Sequence, residues 1–102
     1  MITFINVFEI APDELDTFLA GWRKRAEFMS TQPGFRSFRL HRALSPDSRF
    51  QLINVAEWEN AEALQAATAQ PTFQESIRRS LAECHVTAHP GLYRAAVEVT
   101  AT

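Results

Sequence analysis

The stretch Phe50–Glu59, FQLINVAEWE, alternates with the period of a β-strand yet carries apolar groups on both of its faces. Phe50, Leu52, Asn54, Ala56 and Trp58 point one way; Gln51, Ile53, Val55 and Glu57 point the other. A strand of this kind needs cover on each side, so a helix layer and a further layer are both required. Into the first face the sequence puts an amide, Asn54, and four residues later an indole, Trp58. A polar group anchored in an apolar surface is how small-molecule pockets are built.

Ile2 to Ile10 has the same character, with Ile2, Phe4, Asn6, Phe8 and Ile10 against Thr3, Ile5, Val7 and Glu9. It predicts a second central strand. Pro12 suits the first turn of a helix, and Asp13, Glu14 and Asp16 place negative charge at its positive end. Leu15, Phe18, Leu19, Trp22, Ala26 and Met29 then form an amphipathic stripe, leaving Arg23, Lys24, Arg25 and Glu27 as a solvated face. Gln32-Pro33-Gly34 ends the helix. Phe35 to Leu44 reads as a half-buried strand near an edge, and Ser45-Pro46-Asp47-Ser48 turns it back as a hairpin onto Phe50–Trp58. Asn60 caps a short helix through Ala63, Leu64, Ala66 and Ala67, which Pro71 interrupts or restarts; Phe73, Ile77 and Leu81 follow at every fourth residue. Cys84 to Gly91 is expected as an irregular connection and Leu92 to Val99 as the last strand.

Length and charge narrow the functional classes. The 102 residues make one domain, spanning 1–102, with a formal net charge of -2 and interspersed charges that give no electrostatic reason for a nucleic-acid partner. The lone Cys84 makes no internal disulfide, MITFINVFEI reads as a strand rather than a leader, and no apolar run approaches the roughly 20 residues of a membrane span. A cytoplasmic protein without membrane contact is expected. Glycines at positions 21, 34 and 91 alone write neither a dinucleotide turn nor a phosphate loop. Cys84, His85 and His89 are metal-ligand types close together, but no acidic partner is near and Pro90 follows; no metal site and a buried structural thiol are expected.

The element order is β-α-β-β-α-β. It predicts an α+β, ferredoxin-like fold, a four-stranded antiparallel sheet with helices on one face and the first and third strands in the middle. Helices cover only one side of such a sheet. Ile5, Val7, Ile53 and Val55, or their opposite faces, are then left bare in a monomer, which predicts a homodimer through the sheet face. The RNA-recognition fold shares this order, but FQLINVAEW lacks the basic-glycine-aromatic pattern its third strand needs.

The opening strand INVFEI, the helix bearing Phe18 and Trp22, the QPGF turn, the INVAEWE strand and HPGLY at His89–Tyr93 together resemble the antibiotic biosynthesis monooxygenase domain family, whose members are dimeric α/β barrels. The resemblance covers nearly the whole chain. It implies cofactor-free oxidation of an aromatic phenol by molecular oxygen, with Asn54 and Trp58 in the cleft, His41 at the end of the second strand, and Arg78 or, within one residue, Arg79 on the last helix. A family tyrosine is replaced by Leu64, which removes any step that needs a phenol there. Haem-degrading relatives use an Asn, matched by Asn6, together with a Trp and a His that fall at Ala67 and Ile77 here, so haem degradation is not expected.

Chemically, such a site must hold an electron-rich phenolate, favour its anion and exclude water. Asn54 supplies a donor toward a phenolate or peroxide oxygen, Trp58 a flat wall, His41 a group that takes a proton near neutral pH, and Arg78 a charge for an anionic intermediate. Asn6, Leu64, Phe18 and Trp22 complete the expected substrate-binding surface. Each has a structural alternative: a satisfied strand amide, a core indole, an edge histidine, a solvated arginine. The two functional readings are therefore a cofactor-independent monooxygenase and a non-catalytic dimeric binding module on the same scaffold.

Overall fold

The computed structural model describes Met1–Thr102. Four strands and three α-helices follow one another as β1 (Ile2–Ile10), α1 (Leu15–Met29), β2 (Phe35–Arg42), β3 (Leu52–Trp58), α2 (Ala61–Thr68), α3 (Pro71–Glu83) and β4 (Val86–Tyr93). The strands pair antiparallel throughout, in the order β2-β3-β1-β4. The two strands with apolar groups on both faces are thus central, as the sequence requires. The fold is α+β and ferredoxin-like, with its second crossover divided into α2 and α3 at Pro71. No helix is long and apolar enough to cross a membrane.

Local chemistry sets the element boundaries. Pro12–Glu14 forms a 3₁₀ turn, so the α-helix itself starts at Leu15. Gly34 takes φ 85°, and a Cβ there would lie 2.5 Å from Ala63 Cβ, so both conformation and space demand glycine. Asn60 Oδ1 accepts the Ala63 N–H at 2.8 Å, a cap typically worth about 1 kcal/mol. In the hairpin turn the buried Gln51 donates from Nε2 to the carbonyls of Ser45, Pro46 and Ser48 at 3.1, 3.2 and 2.7 Å. That amide fixes the loop in place. Phe50 lies outside β3 and packs edge-on against His89, with the Arg49 guanidinium 4.9 Å from its ring centre.

The carboxy-terminal expectation is overturned. The last strand is Val86–Tyr93, and residues 94–102 carry no regular secondary structure. Pro90 and Gly91, read as breakers, lie inside the strand, opposite Asn6 and Ile5. β4 is an edge, where half the backbone N–H groups have no neighbouring strand, so a proline is tolerated. The Tyr93 ring covers the bare Gly91 backbone, its hydroxyl 2.6 Å from where a Cβ would stand.

Burial separates the two faces of β3. Leu52, Asn54, Ala56 and Trp58 are buried beneath the helices, while Ile53, Val55 and Glu57 are half-buried on the other side. On that second face Ile5 stands opposite Val55 and Val7 opposite Ile53, a contiguous apolar patch. The helix-covered core falls into two clusters. Phe8, Ile10, Leu15, Phe18, Leu52 and Cys84 form one; Ala56, Trp58, Leu64 and Ala67 form the other. Along both central strands the residue between the two clusters is an asparagine.

Candidate active site

That seam is where the structure opens. A cavity of about 330 Å³ lies between the sheet and the helices, at the small end of the roughly 300–1,000 Å³ typical of ligand sites. Its floor comes from Phe4, Asn6 and Phe8 of β1 and Asn54, Ala56 and Trp58 of β3; Phe18, Trp22, Arg25 and Met29 of α1 and Phe73, Ile77 and Ser80 of α3 close over it. Gln74, Leu81, Ala88 and Pro90 also line it and are exposed, marking a rim between α3 and β4. Aromatic rings form a connected wall. Phe8 lies 5.4 Å from Phe18 and 5.7 Å from Trp22, Trp22 lies 6.2 Å from Phe38, and Phe35 meets Trp58 edge-on at 5.4 Å.

Four of the residues that line this space carry buried polar atoms without protein partners. Asn6 and Asn54 face each other directly across β1 and β3, and the Oδ1 of each is buried and unpaired. Trp22 Nε1 and Arg25 Nη2 share that condition. Each such atom typically costs about 1–3 kcal/mol when nothing meets it. Four of them around one cavity are a concentration that stability alone does not produce. A side-chain amide presents an acceptor and a donor at one end, so the asparagine rung can meet either a hydroxyl or an oxyanion.

Comparison with known proteins agrees with the architecture. The family model for antibiotic biosynthesis monooxygenase matches residues 1–79. The chain belongs to this monooxygenase family. It is 34% identical to the deoxynogalonate monooxygenase of Streptomyces nogalater over 74 residues, which is 71% of this chain and 58% of that protein. It thus spans little more than half the length of that curated relative. SnoaB, a cofactor-independent oxygenase from Streptomyces nogalater, superposes with a TM-score of 0.78 at 31% identity, covering 96% of this chain and 95% of that one. A structure from Deinococcus radiodurans at 14% identity and TM-score 0.81 shares the fold.

Within this monooxygenase scaffold the structure brings together most of the residues singled out from sequence. Asn6, Phe18, Trp22, Asn54, Trp58 and Leu64 all line the cavity. His41 and Arg78 do not. His41 pairs in register with Ile53, so its side chain leaves the sheet on the face opposite Asn54, and it is exposed. On α3 the residues that line the cavity are Phe73, Gln74, Ile77, Ser80 and Leu81; Arg78 and Arg79 are not among them and are exposed. Arg79 pairs with Glu75 at 3.3 Å.

The cation that does reach the cavity is Arg25, placed by sequence on a solvated face and found only 4% exposed. Its Nη1 donates to Ser80 Oγ at 2.7 Å and to the Ser76 carbonyl and hydroxyl at 3.3 Å, while its guanidinium carbon lies 5.4 Å from the Phe18 ring centre and 5.9 Å from that of Trp22. Burial pushes its pKa down, opposed by the Cys84 thiol nearby. A signal for this was present: Arg25 stands seven residues after Phe18 and three after Trp22, which is the stripe's own spacing. Cys84 itself is buried, and that burial, with Glu14 and Glu83 nearby, raises its thiol pKa. His85 and His89 are engaged separately, with Glu14 at 3.2 Å and Glu9 at 2.8 Å.

Proposed function

We propose that this chain is a cofactor-independent monooxygenase that oxidises a phenol- or hydroquinone-type aromatic molecule with molecular oxygen. The observation that carries the reading is the Asn6–Asn54 rung, two side-chain amides, each with an unpartnered Oδ1, side by side on the floor of an aromatic-walled cavity. A flat ring stacks among Phe8, Trp22, Phe35 and Trp58, and an amide N–H aimed at its oxygen favours the phenolate, the form that gives an electron to oxygen. One oxygen atom then enters the ring and the other leaves as water, with the substrate's own hydrogens and electrons completing the balance. The apolar walls exclude competing water. SnoaB, described as a cofactor-independent oxygenase, and the deoxynogalonate monooxygenase support this reading.

The same proposal includes a homodimer in the cytoplasm. Ile5, Val7, Ile53 and Val55 form a half-buried apolar patch on the face away from the helices, and a second copy of that sheet covers it. The cytoplasmic placement rests on the single unpaired cysteine.

The test is oxygen uptake by chelator-treated protein supplied with a panel of dihydroxynaphthalenes and dihydroxyanthracenes. Turnover above autoxidation that Asn54→Ala lowers supports the enzyme. No turnover with any compound, together with unchanged ligand binding in Asn54→Ala, removes it. A second reading, a binding module on the same scaffold, is favoured by one fact: Arg25 is the only ionisable side chain lining the cavity, so no general base is built in. Saturable binding without oxygen consumption would select that reading.

A further inference from the structure

Burial falls unevenly on the three helices. Of the 13 residues of α3 only Ser80 is buried, whereas α1 buries Leu15, Phe18 and Arg25 and the shorter α2 buries Leu64 and Ala67. The apolar stripe of α3 is Phe73, Ile77 and Leu81, one helical turn apart. These side chains line the cavity, yet they join neither core cluster, and Leu81 is 58% exposed. The face that ordinarily fastens a helix to its sheet looks onto open space instead. α3 leans on α1, and the polar links across that contact run from Arg25 Nη1 to Ser80 Oγ and to the Ser76 carbonyl and hydroxyl.

Those links are finely balanced. With α3 in place Arg25 has no carboxylate at ion-pair distance, and its buried Nη2 meets no acceptor. Holding a guanidinium in this way is unfavourable, and the serine bonds offset only part of the cost. Movement of α3 away from α1 returns the group to water. Both ends of the helix are abrupt, with extended backbone at Gln70 (φ -64°, ψ 136°) and Cys84 (φ -131°, ψ 146°). Beyond the second, Cys84 sits in the core and the His85 N–H donates to Glu14 Oε2 at 3.0 Å, so the chain is fixed on the far side of the bend. Hinges are built at such element ends.

We propose that α3 is a lid, hinged at Gln70 and Cys84, which swings outward to widen the rim between Leu81 and the β4 residues Ala88 and Pro90 and closes over a bound ligand, with Arg25, Ser76 and Ser80 as its latch. The proposal rests on the reading of this cavity as the ligand site. A ligand with an apolar ring system gives Phe73, Ile77 and Leu81 the contacts that the free protein does not supply. It therefore binds the closed state better and shifts the population toward it. Closure also shuts water out of the cavity, which the chemistry needs. Gly21 belongs to the latch, since a Cβ there would stand 2.6 Å from Ser80 Oγ and 3.2 Å from Arg25 Nη1.

The experiment is hydrogen–deuterium exchange read by mass spectrometry on the full chain, with a dihydroxynaphthalene as the probe under anaerobic conditions. In the free wild type the interior amides of α3 are expected to exchange about tenfold or more faster than those of α1, because they open locally. Saturating probe should slow α3 by about the same factor and leave α1 little changed. Ser80→Ala removes the shortest bond of the latch and should speed exchange in α3 alone by about tenfold. Gly21→Ala, which crowds the same hydroxyl, should act in the same direction. Exchange in α3 at the rate of α1, or acceleration by Ser80→Ala spread evenly over all helices, overturns the lid and leaves the monooxygenase reading standing. So does a probe that is bound or oxidised without slowing α3. Local opening under latch control, in a protein that neither binds nor oxidises any compound of the panel, overturns the substrate reading and closure on a ligand together. Should circular dichroism show Ser80→Ala unfolded, the wild type with and without probe still decides the matter.

Discussion

Arg25 Nη1 and Ser80 Oγ meet at 2.7 Å where α1 packs against α3, and Gly21 is the residue whose missing side chain lets them meet. The contact joins two helices that share few other polar links, and it orients the one cation in the cavity. Its energetic weight can be isolated. Gly21→Ala is expected to cost about 1–3 kcal/mol in the wild type, because the added methyl drives the hydroxyl off a buried charge. In a Ser80→Ala background that cost should vanish, since the crowded atom is gone and alanine favours the helix by up to about 1 kcal/mol. Urea denaturation of the four proteins measures the coupling; equal costs in both backgrounds would show that the three residues act independently.

Asn6→Leu and Asn54→Leu should separate stability from function. Each replaces an unpartnered buried amide with an apolar group of similar volume, so the protein is expected to keep its stability or gain about 1–2 kcal/mol. Ligand-dependent oxygen uptake is expected to fall by about 100-fold or more, the usual effect of deleting a donor to a reactive oxyanion. If either variant instead loses stability, the rung is part of the framework and its place in the chemistry is lost.

His41→Ala and Arg78→Ala are expected to leave kcat/KM within about threefold of wild type, as substitutions outside a site do. Neither side chain lines the cavity, His41 because its register partner is Ile53 rather than Asn54. A large loss of turnover in His41→Ala would mean that the second face of the sheet takes part in the reaction.

The apolar patch predicts the assembly. Sedimentation equilibrium should give the wild type twice its chain mass of 11.6 kDa, and Val55→Lys should return it to the monomer. Val55 lies opposite Ile5, in the centre of the patch and on the face away from the cavity. A wild-type monomer would leave the sheet-to-sheet dimer without support.

Acid stability should carry the mark of Glu9. Hydrogen bonds from Arg49 first and His89 second hold its carboxyl below the ordinary value of 4.5. A carboxyl with a depressed folded-state pKa stabilises the fold above its unfolded value and loses that contribution as pH falls through its folded value. Glu9→Gln should therefore flatten the decline of thermal stability below about pH 4.5, by a small amount because the cluster is partly exposed. An unchanged acid limb would show that other carboxylates dominate it.

Much of this was legible in the chain itself. Strand period and double-sided apolarity in Phe50–Trp58 and Ile2–Ile10 required a central pair, and Gly34, Asn60 and Pro71 marked boundaries that the structure keeps. The asparagine rung was legible as well, since both residues sit at the covered-face positions of their strands. Three things were not. Pro90 and Gly91 act as breakers only where a strand has two neighbours, and the sequence does not say which strand is an edge. His41 and Arg78 were carried by resemblance, whereas register and helical phase decide which face a side chain takes.

Arg25 shows the division most sharply. Periodicity determined the layers and the central strands, because those depend on contacts a few positions apart. Whether a charged residue on an inward stripe reaches solvent or is trapped depends on how closely a distant helix approaches. Here Gly21 and Ser80, far apart in sequence, let α3 close over the guanidinium, and only the tertiary packing made it part of a site.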